Sequence, residues 1–326
     1  MLVRFFSRGN VLAYLAMLAI LVLLRLRLIL HPEFYVVGDQ ALSYAPLWNT
    51  VFGHVSPLSG LASALAIVSV ALCALIVNNI ANRYGLASQQ GAVAGLLFVI
   101  LCGGLRHSVA FQPVLVYTLF LAWGVDRLFS AMRKDYPYAS VAWGFAVLAA
   151  GSLFWAKGVW FLPFFLFMLF VLRLSSLRCL AAALVGAGGV AFVAFAVELF
   201  SASPFEGLRA FARAMFDTQS LWKVGAFSAT YMAIALTAVV SGAISIQRHL
   251  SELNIQESRR IRVAEWVFFF AVFLMSLPGF SYELQNVAAV GASLFMPVFL
   301  TGVRSPRVRT AYLVALISVT AWIIFV

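Results

Sequence analysis

Asp39 is the residue in this chain best suited to acid–base chemistry. It follows Gly38 in Phe34-Tyr35-Val36-Val37-Gly38-Asp39-Gln40, a stretch with few other charges. A carboxylate there suits a general base that deprotonates a hydroxyl acceptor. The same residue also suits the N-cap of a helix over Gln40–Phe52, a frequent job for aspartate. A second chemical feature is cationic. Lys157 lies in Phe154-Trp155-Ala156-Lys157-Gly158-Val159-Trp160, and Arg209 and Arg213 stand one helical turn apart. Arg25 and Arg27 sit in Leu23-Leu24-Arg25-Leu26-Arg27-Leu28. Guanidinium forks match phosphate oxygens, so these positions are candidates for holding a phosphorylated substrate. The bland alternative for Lys157, Arg25 and Arg27 is snorkelling, with the apolar stem in lipid and the charge at the headgroups.

Metal chemistry finds little to use. The four histidines are His31, His54, His107 and His249, and none is paired in HxH or HxxxH spacing. Cys73, Cys102 and Cys179 have no CxxC partner and fall in or beside apolar runs, where cysteine acts as a small hydrophobe. No phosphate-binding glycine loop, GxSxG elbow or run of intramembrane acids occurs, so no metal or cofactor is expected.

The elements that must position these groups are set by composition. Hydrophobic residues make up 64% of the 326 positions and charged residues 10%. Soluble domains carry about 25% charged residues. A chain this apolar cannot cover a water-facing core, so lipid is its expected solvent and the expected fold is an all-α polytopic transmembrane bundle. Windows of roughly 17–25 apolar residues give about eleven spans, near 10–30, 60–78, 88–105, 112–130, 139–156, 158–173, 179–200, 227–246, 263–278, 286–303 and 310–326. The first run resembles a secretory signal. Arg25 and Arg27 follow it in place of a small-residue cleavage site, so it reads as a retained span.

The positive-inside rule orients the bundle. With a cytoplasmic N-terminus, fifteen of the 22 basic residues fall inside, among them Arg83, Arg133, Arg259, Arg260 and Arg262. Seven fall outside: Arg25, Arg27, Arg106, Lys157, Arg209, Arg213 and Lys223. This scattering between apolar runs explains the net charge of +11 without a nucleic-acid partner. Two outer segments read as interfacial helices. One spaces Tyr44, Trp48 and Phe52; the other aligns Phe205, Leu208, Phe211, Ala212 and Met215 opposite Arg209 and Arg213. No internal repeat or linker appears, and residues 1–326 read as one integral membrane domain.

The order of these features resembles the membrane glycosyltransferases that take sugars from polyprenyl-phosphate donors, of GT-C type fold. The matching pieces are the cationic N-terminus and first span, then Gly38-Asp39-Gln40-Ala41-Leu42-Ser43-Tyr44. They continue with Asn82-Arg83-Tyr84-Gly85 and with Trp143-Gly144-Phe145-Ala146 through Phe154-Trp155-Ala156-Lys157-Gly158. The resemblance covers roughly residues 1–175. It implies an acceptor-activating acid at Asp39, and a donor phosphate held by Lys157 with Arg209 or Arg213. It departs from the pattern at Gln40, where such enzymes often carry a second acid, and those enzymes are usually longer.

The opening Val3-Arg4-Phe5-Phe6-Ser7-Arg8-Gly9-Asn10 and Leu30-His31-Pro32 also resemble an uncharacterised bacterial polytopic inner-membrane family of this length. The expected partner is membrane lipid, including a polyprenyl-phosphate-linked sugar, met on the outer face of a bacterial inner membrane. A non-catalytic assembly subunit or a lipid-handling transporter is the rival reading.

Overall fold

The computed structural model describes residues 5–6, 10–30, 46–56, 59–86, 91–103, 110–200, 205–216, 226–249, 254–277, 280, 284–302 and 306–325. Among them the chain is helical, with no β-strand. The helices are α1 (Val11–Leu24), α2 (Leu26–Leu30), α3 (Pro46–Phe52), α4 (Gly60–Arg83), α5 (Val93–Cys102), α6 (Pro113–Ala131) and α7 (Tyr138–Ser152). After a 3-10 turn, Ala156–Trp160, come α8 (Phe161–Val171), α9 (Leu177–Leu199), α10 (Glu206–Phe216), α11 (Ala226–His249), α12 (Ile255–Met275), α13 (Gln285–Gly302) and α14 (Pro306–Phe325).

Three of these, α4, α6 and α9, are long and apolar enough to cross a bilayer by length and composition alone. Shorter apolar runs lie on α1, α5, α7, α11, α13, α14 and the stretch from the 3-10 turn through α8. The helix α9 carries the plainest sign of its solvent. Leu184, Val185, Phe192, Val193 and Val197 are all more than half exposed, which water would penalise and hydrocarbon would not. The chain is therefore membrane-associated through its helices.

The chain divides into two compact units. Unit 1 comprises residues 1–36, 57–115 and 221–326; unit 2 comprises residues 37–56 and 116–220.

Unit 1 is built around α5, every residue of which is buried. A helix apolar on all sides has to be enclosed, and α1, α4, α13 and α14 pack against it. Its ten residues span about 15 Å, half a hydrocarbon layer. Just before α5, Asn82 of α4 donates to the Gly91 carbonyl (2.9 Å) and accepts from the Gly91 N–H (3.2 Å), while Ala92 N–H donates to the Phe6 carbonyl (2.7 Å). These bonds satisfy the backbone at the start of the helix.

The helix ends in unit 1 alternate. Tyr84, after α4, lies beside Arg260 near the start of α12. The other end gathers Leu24 of α1 against Gly103, Gln285 of α13 bonded to the Leu101 carbonyl, and Thr320 of α14 3.5 Å from the Ile100 carbonyl. The Arg83–Arg260 end is the one the basic residues assign to the cytoplasm. Close crossings hold the helices together: a side chain at Gly291 would meet the Ala264 carbonyl and the Phe268 amide at 2.6 Å, so α13 and α12 touch backbone to backbone.

Unit 2 contains the α7–α9 pair and the elements around the 3-10 turn. Gly186 of α9 lies against the Ala142 carbonyl of α7 so closely that any side chain would collide with it. Gly188 and Gly189, on the same helix, face open space. Packing on α7 accounts for Gly186 alone.

Candidate functional site

The 3-10 turn carrying Lys157 is held by aromatic packing. The Tyr117 hydroxyl of α6 donates to the Gly158 carbonyl (3.2 Å), and its ring lies so close over Gly158 that a Cβ there would sit 2.5 Å away. Trp155 and Phe161 flank Tyr117 at ring-centroid separations of 5.2 and 5.6 Å. Gly158 is therefore fixed by contact as well as by a hydrogen bond. Inside this turn Lys157 is only 5% exposed. The snorkelling expectation fails for Lys157: protein encloses the side chain, and an enclosed ammonium has to find protein or ligand acceptors.

The amphipathic helix α10 docks on the same turn. Ala214 packs on Ala156, flanked by the partly buried Phe211 and Met215, and the Trp160 indole N–H reaches the Met215 carbonyl at 3.4 Å. Phe216 meets Trp160 edge-on at 6.0 Å. The expected helix exists, but its buried face is shifted. Leu208 and Ala212 are exposed, and the i, i+3, i+4 set Phe211, Ala214 and Met215 makes the contact. Arg209 and Arg213 are exposed on the free face.

The N-terminus of α10 is tied down by Glu198 of α9, whose carboxylate accepts from the Gly207 N–H at 2.7 Å. An anion there offsets the unsatisfied amides and the positive helix end. Glu198 is thus a helix cap. The short helix α3 also packs on α10; within α3 Trp48 lies against Phe52 (4.9 Å), and Phe52 meets Phe154, just before the 3-10 turn (6.2 Å).

The six sequence-selected residues thus separate. Lys157, Arg209 and Arg213 lie in unit 2 on two elements that touch, but Arg209 and Arg213 are on the free face of α10, not on the face docked on the Lys157 turn. Arg25 belongs to unit 1, at the break between α1 and α2, and is 1% exposed. It does not snorkel to an interface; protein surrounds it, within electrostatic range of Cys102. Arg27 lies on α2, its side chain outside the described residues, and Asp39 lies outside them altogether.

Sequence reasoning passed over two polar groups of unit 1. Arg260 is 2% exposed and donates to the Tyr84 carbonyl and to Gln256, both at 3.3 Å, with its guanidinium 4.9 Å from the Tyr84 ring centroid. Glu265, one face further along α12, is buried and accepts from the Gln247 amide at 2.7 Å. In the sequence Arg260 is one arginine of the basic cluster Arg259-Arg260-Ile261-Arg262 and Glu265 a lone acid in an apolar run, and neither pattern registers burial.

No protein-family model matches the chain, and no curated protein sequence is similar to it. The chemistry of the site therefore rests on its own geometry. Unit 2 carries a buried lysine in the 3-10 turn and two exposed arginines on the free face of the helix docked on it, and exposed guanidinium groups suit a phosphate or carboxylate.

Proposed function

We propose that this chain is a multi-pass protein of a bacterial inner membrane that handles a polyprenyl-phosphate-linked sugar on the outer face, in the manner of the glycosyltransferases it resembles. In this reading Lys157, Arg209 and Arg213 hold the donor phosphate, and Asp39 deprotonates the acceptor hydroxyl, which displaces the lipid phosphate from the sugar carbon. The proton passes to the Asp39 carboxylate and the lipid phosphate leaves with the bonding electrons.

The observation that carries the reading is the docking of α10 on the Lys157 turn, through Ala156 and Ala214 and the Trp160–Met215 hydrogen bond. It sets the lysine-bearing turn against the helix that carries Arg209 and Arg213, elements some fifty positions apart in sequence. An interfacial helix folded onto a lysine-bearing turn is suited to a lipid-borne anion, whose headgroup stays at the membrane surface.

The test is genetic and chemical. Asp39→Asn and Lys157→Gln variants, expressed at wild-type level in a deletion strain, are assayed for surface glycans and for accumulation of lipid-linked intermediates. Loss of a glycan with build-up of its lipid-linked donor supports the reading. Unchanged glycans in the deletion strain itself would end it and leave the non-catalytic subunit or lipid-handling transporter, for which Asp39 is replaceable.

A further inference from the structure

Glu265 stands at the head of the apolar run of α12, shortly after Arg259, Arg260 and Arg262. It is 4% exposed. One carboxylate oxygen accepts from the Gln247 amide of α11 at 2.7 Å; the other is buried and has no hydrogen-bond partner among the described residues. A charge enclosed in this way is costly unless paired. Acids inside membrane helices are accordingly rare, and they mark proton or substrate paths.

The described surroundings form no ion pair with it. On its own helix Ile261 and Phe268, one turn to either side, are buried and apolar. Arg262, one turn earlier, is within electrostatic range but exposed, where solvent screens it. Arg260 and Arg83 both turn to Tyr84 at the end of α4. Helix α13 meets α12 backbone to backbone at Gly291, between Ala264 and Phe268, and carries no ionisable residue. On α11 the ionisable residues near the pair are Arg248 and His249, which follow Gln247 and whose side chains lie outside the described residues.

This environment suits a proton better than a metal ion. A hard cation needs several oxygen ligands, and Gln247 presents its NH2 group, a donor, to the carboxylate. A proton needs a single oxygen. It removes the charge, and the hydroxyl it creates can donate to the Gln247 carbonyl once the amide turns over. Gln247 is itself exposed, two residues before the end of α11. The bond therefore runs from the enclosed acid to the surface, at the end that the basic residues assign to the cytoplasm. We propose that Glu265 is a proton-binding site that opens to the cytoplasmic side past Gln247, and that it holds its proton while α11 and α12 are closed around it. Both residues belong to unit 1, so the site stands or falls separately from the reading of the Lys157 turn.

The experiment uses the full chain in membrane vesicles and dicyclohexylcarbodiimide, an apolar reagent that adds to protonated carboxyls. The acid's proton moves to one nitrogen, its oxygen bonds the central carbon, and acyl transfer to nitrogen leaves a stable acylurea with no leaving group. Peptide mass spectrometry reads each acid. At neutral pH Glu265 is expected to label about tenfold more than the exposed Glu206, with no protection by sodium ions. Labelling is expected to fall as the bath pH is raised on inverted vesicles, and to stay constant on right-side-out vesicles with a buffered lumen. Glu265→Gln, which has the shape of the neutral acid, is expected to lose this label and keep the wild-type melting temperature. Labelling of Glu265 no stronger than that of Glu206 would overturn the site, and protection by sodium would overturn the proton as its occupant. Labelling that follows the bath pH on right-side-out vesicles would overturn the cytoplasmic opening. A Glu265→Gln protein that melts well below wild type would mean that the charged form holds the helices together, and would overturn the proposal.

Discussion

The Glu198 carboxylate at the end of α9 holds the Gly207 N–H at the start of α10, 2.7 Å away, and leaves no room for a side chain there. A Cβ on Gly207 would lie 2.6 Å from both carboxylate oxygens. One charged cap thereby ties the start of a short amphipathic helix to the end of a long apolar one.

This cap gives the first prediction. Glu198→Gln keeps the acceptor and loses the charge, so it is expected to cost about 0.5–1 kcal/mol. Gly207→Ala forces the carboxylate out and is expected to cost about 1–3 kcal/mol. Both are expected to raise tryptic cleavage at Arg209 and Arg213, measured by limited proteolysis in detergent, with the alanine variant cut faster. Cleavage rates equal to wild type in both would show that α10 docks without the cap.

A pair of glycines on one helix supplies the second. Gly186→Leu drives a side chain into the Ala142 carbonyl and is expected to destabilise unit 2 by about 3 kcal/mol or more. Gly188→Leu projects into open space and is expected to stay within about 0.5 kcal/mol of wild type. Melting temperatures in detergent distinguish them. Equal effects would contradict the α7–α9 crossing.

The third concerns Arg260. Its bonds to the Tyr84 carbonyl and to Gln256, and its stacking over the Tyr84 ring, use a planar fork that lysine lacks. Arg260→Lys is therefore expected to cost about 1–2 kcal/mol despite keeping the charge. Arg259→Lys, its neighbour on a less enclosed face, is expected to be neutral. Thermal unfolding followed by size-exclusion chromatography reads both.

Much of the fold was legible because lipid imposes simple patterns. The apolar runs at α4, α6 and α9 are continuous, and the alternation of Phe211 and Met215 with Arg209 and Arg213 marks α10 as amphipathic. What was hidden has physical causes. Composition identifies an apolar face but not the partner it meets, so Ala214 was overlooked in favour of Leu208. An arginine near the end of an apolar run looks the same whether it snorkels or is enclosed, so the burial of Arg25 was invisible. The Asn82 side chain bonds the backbone at Gly91, just before α5, and hydropathy does not register such bonds.

The central claim is that the helices of unit 1 pass through the bilayer in alternation, with the Arg260 end cytoplasmic. Helix α12 tests it most directly, since Asn254 before it and Ser276 after it are both exposed and its 21 residues span about 30 Å. The native cysteines Cys73, Cys102 and Cys179 are buried, which leaves a quiet background for thiol labelling. With a membrane-impermeant maleimide on intact spheroplasts, Ser276→Cys is predicted to label at once and Asn254→Cys only after lysis. Labelling of both from the same side, or recovery of the protein in the soluble fraction, would contradict the account.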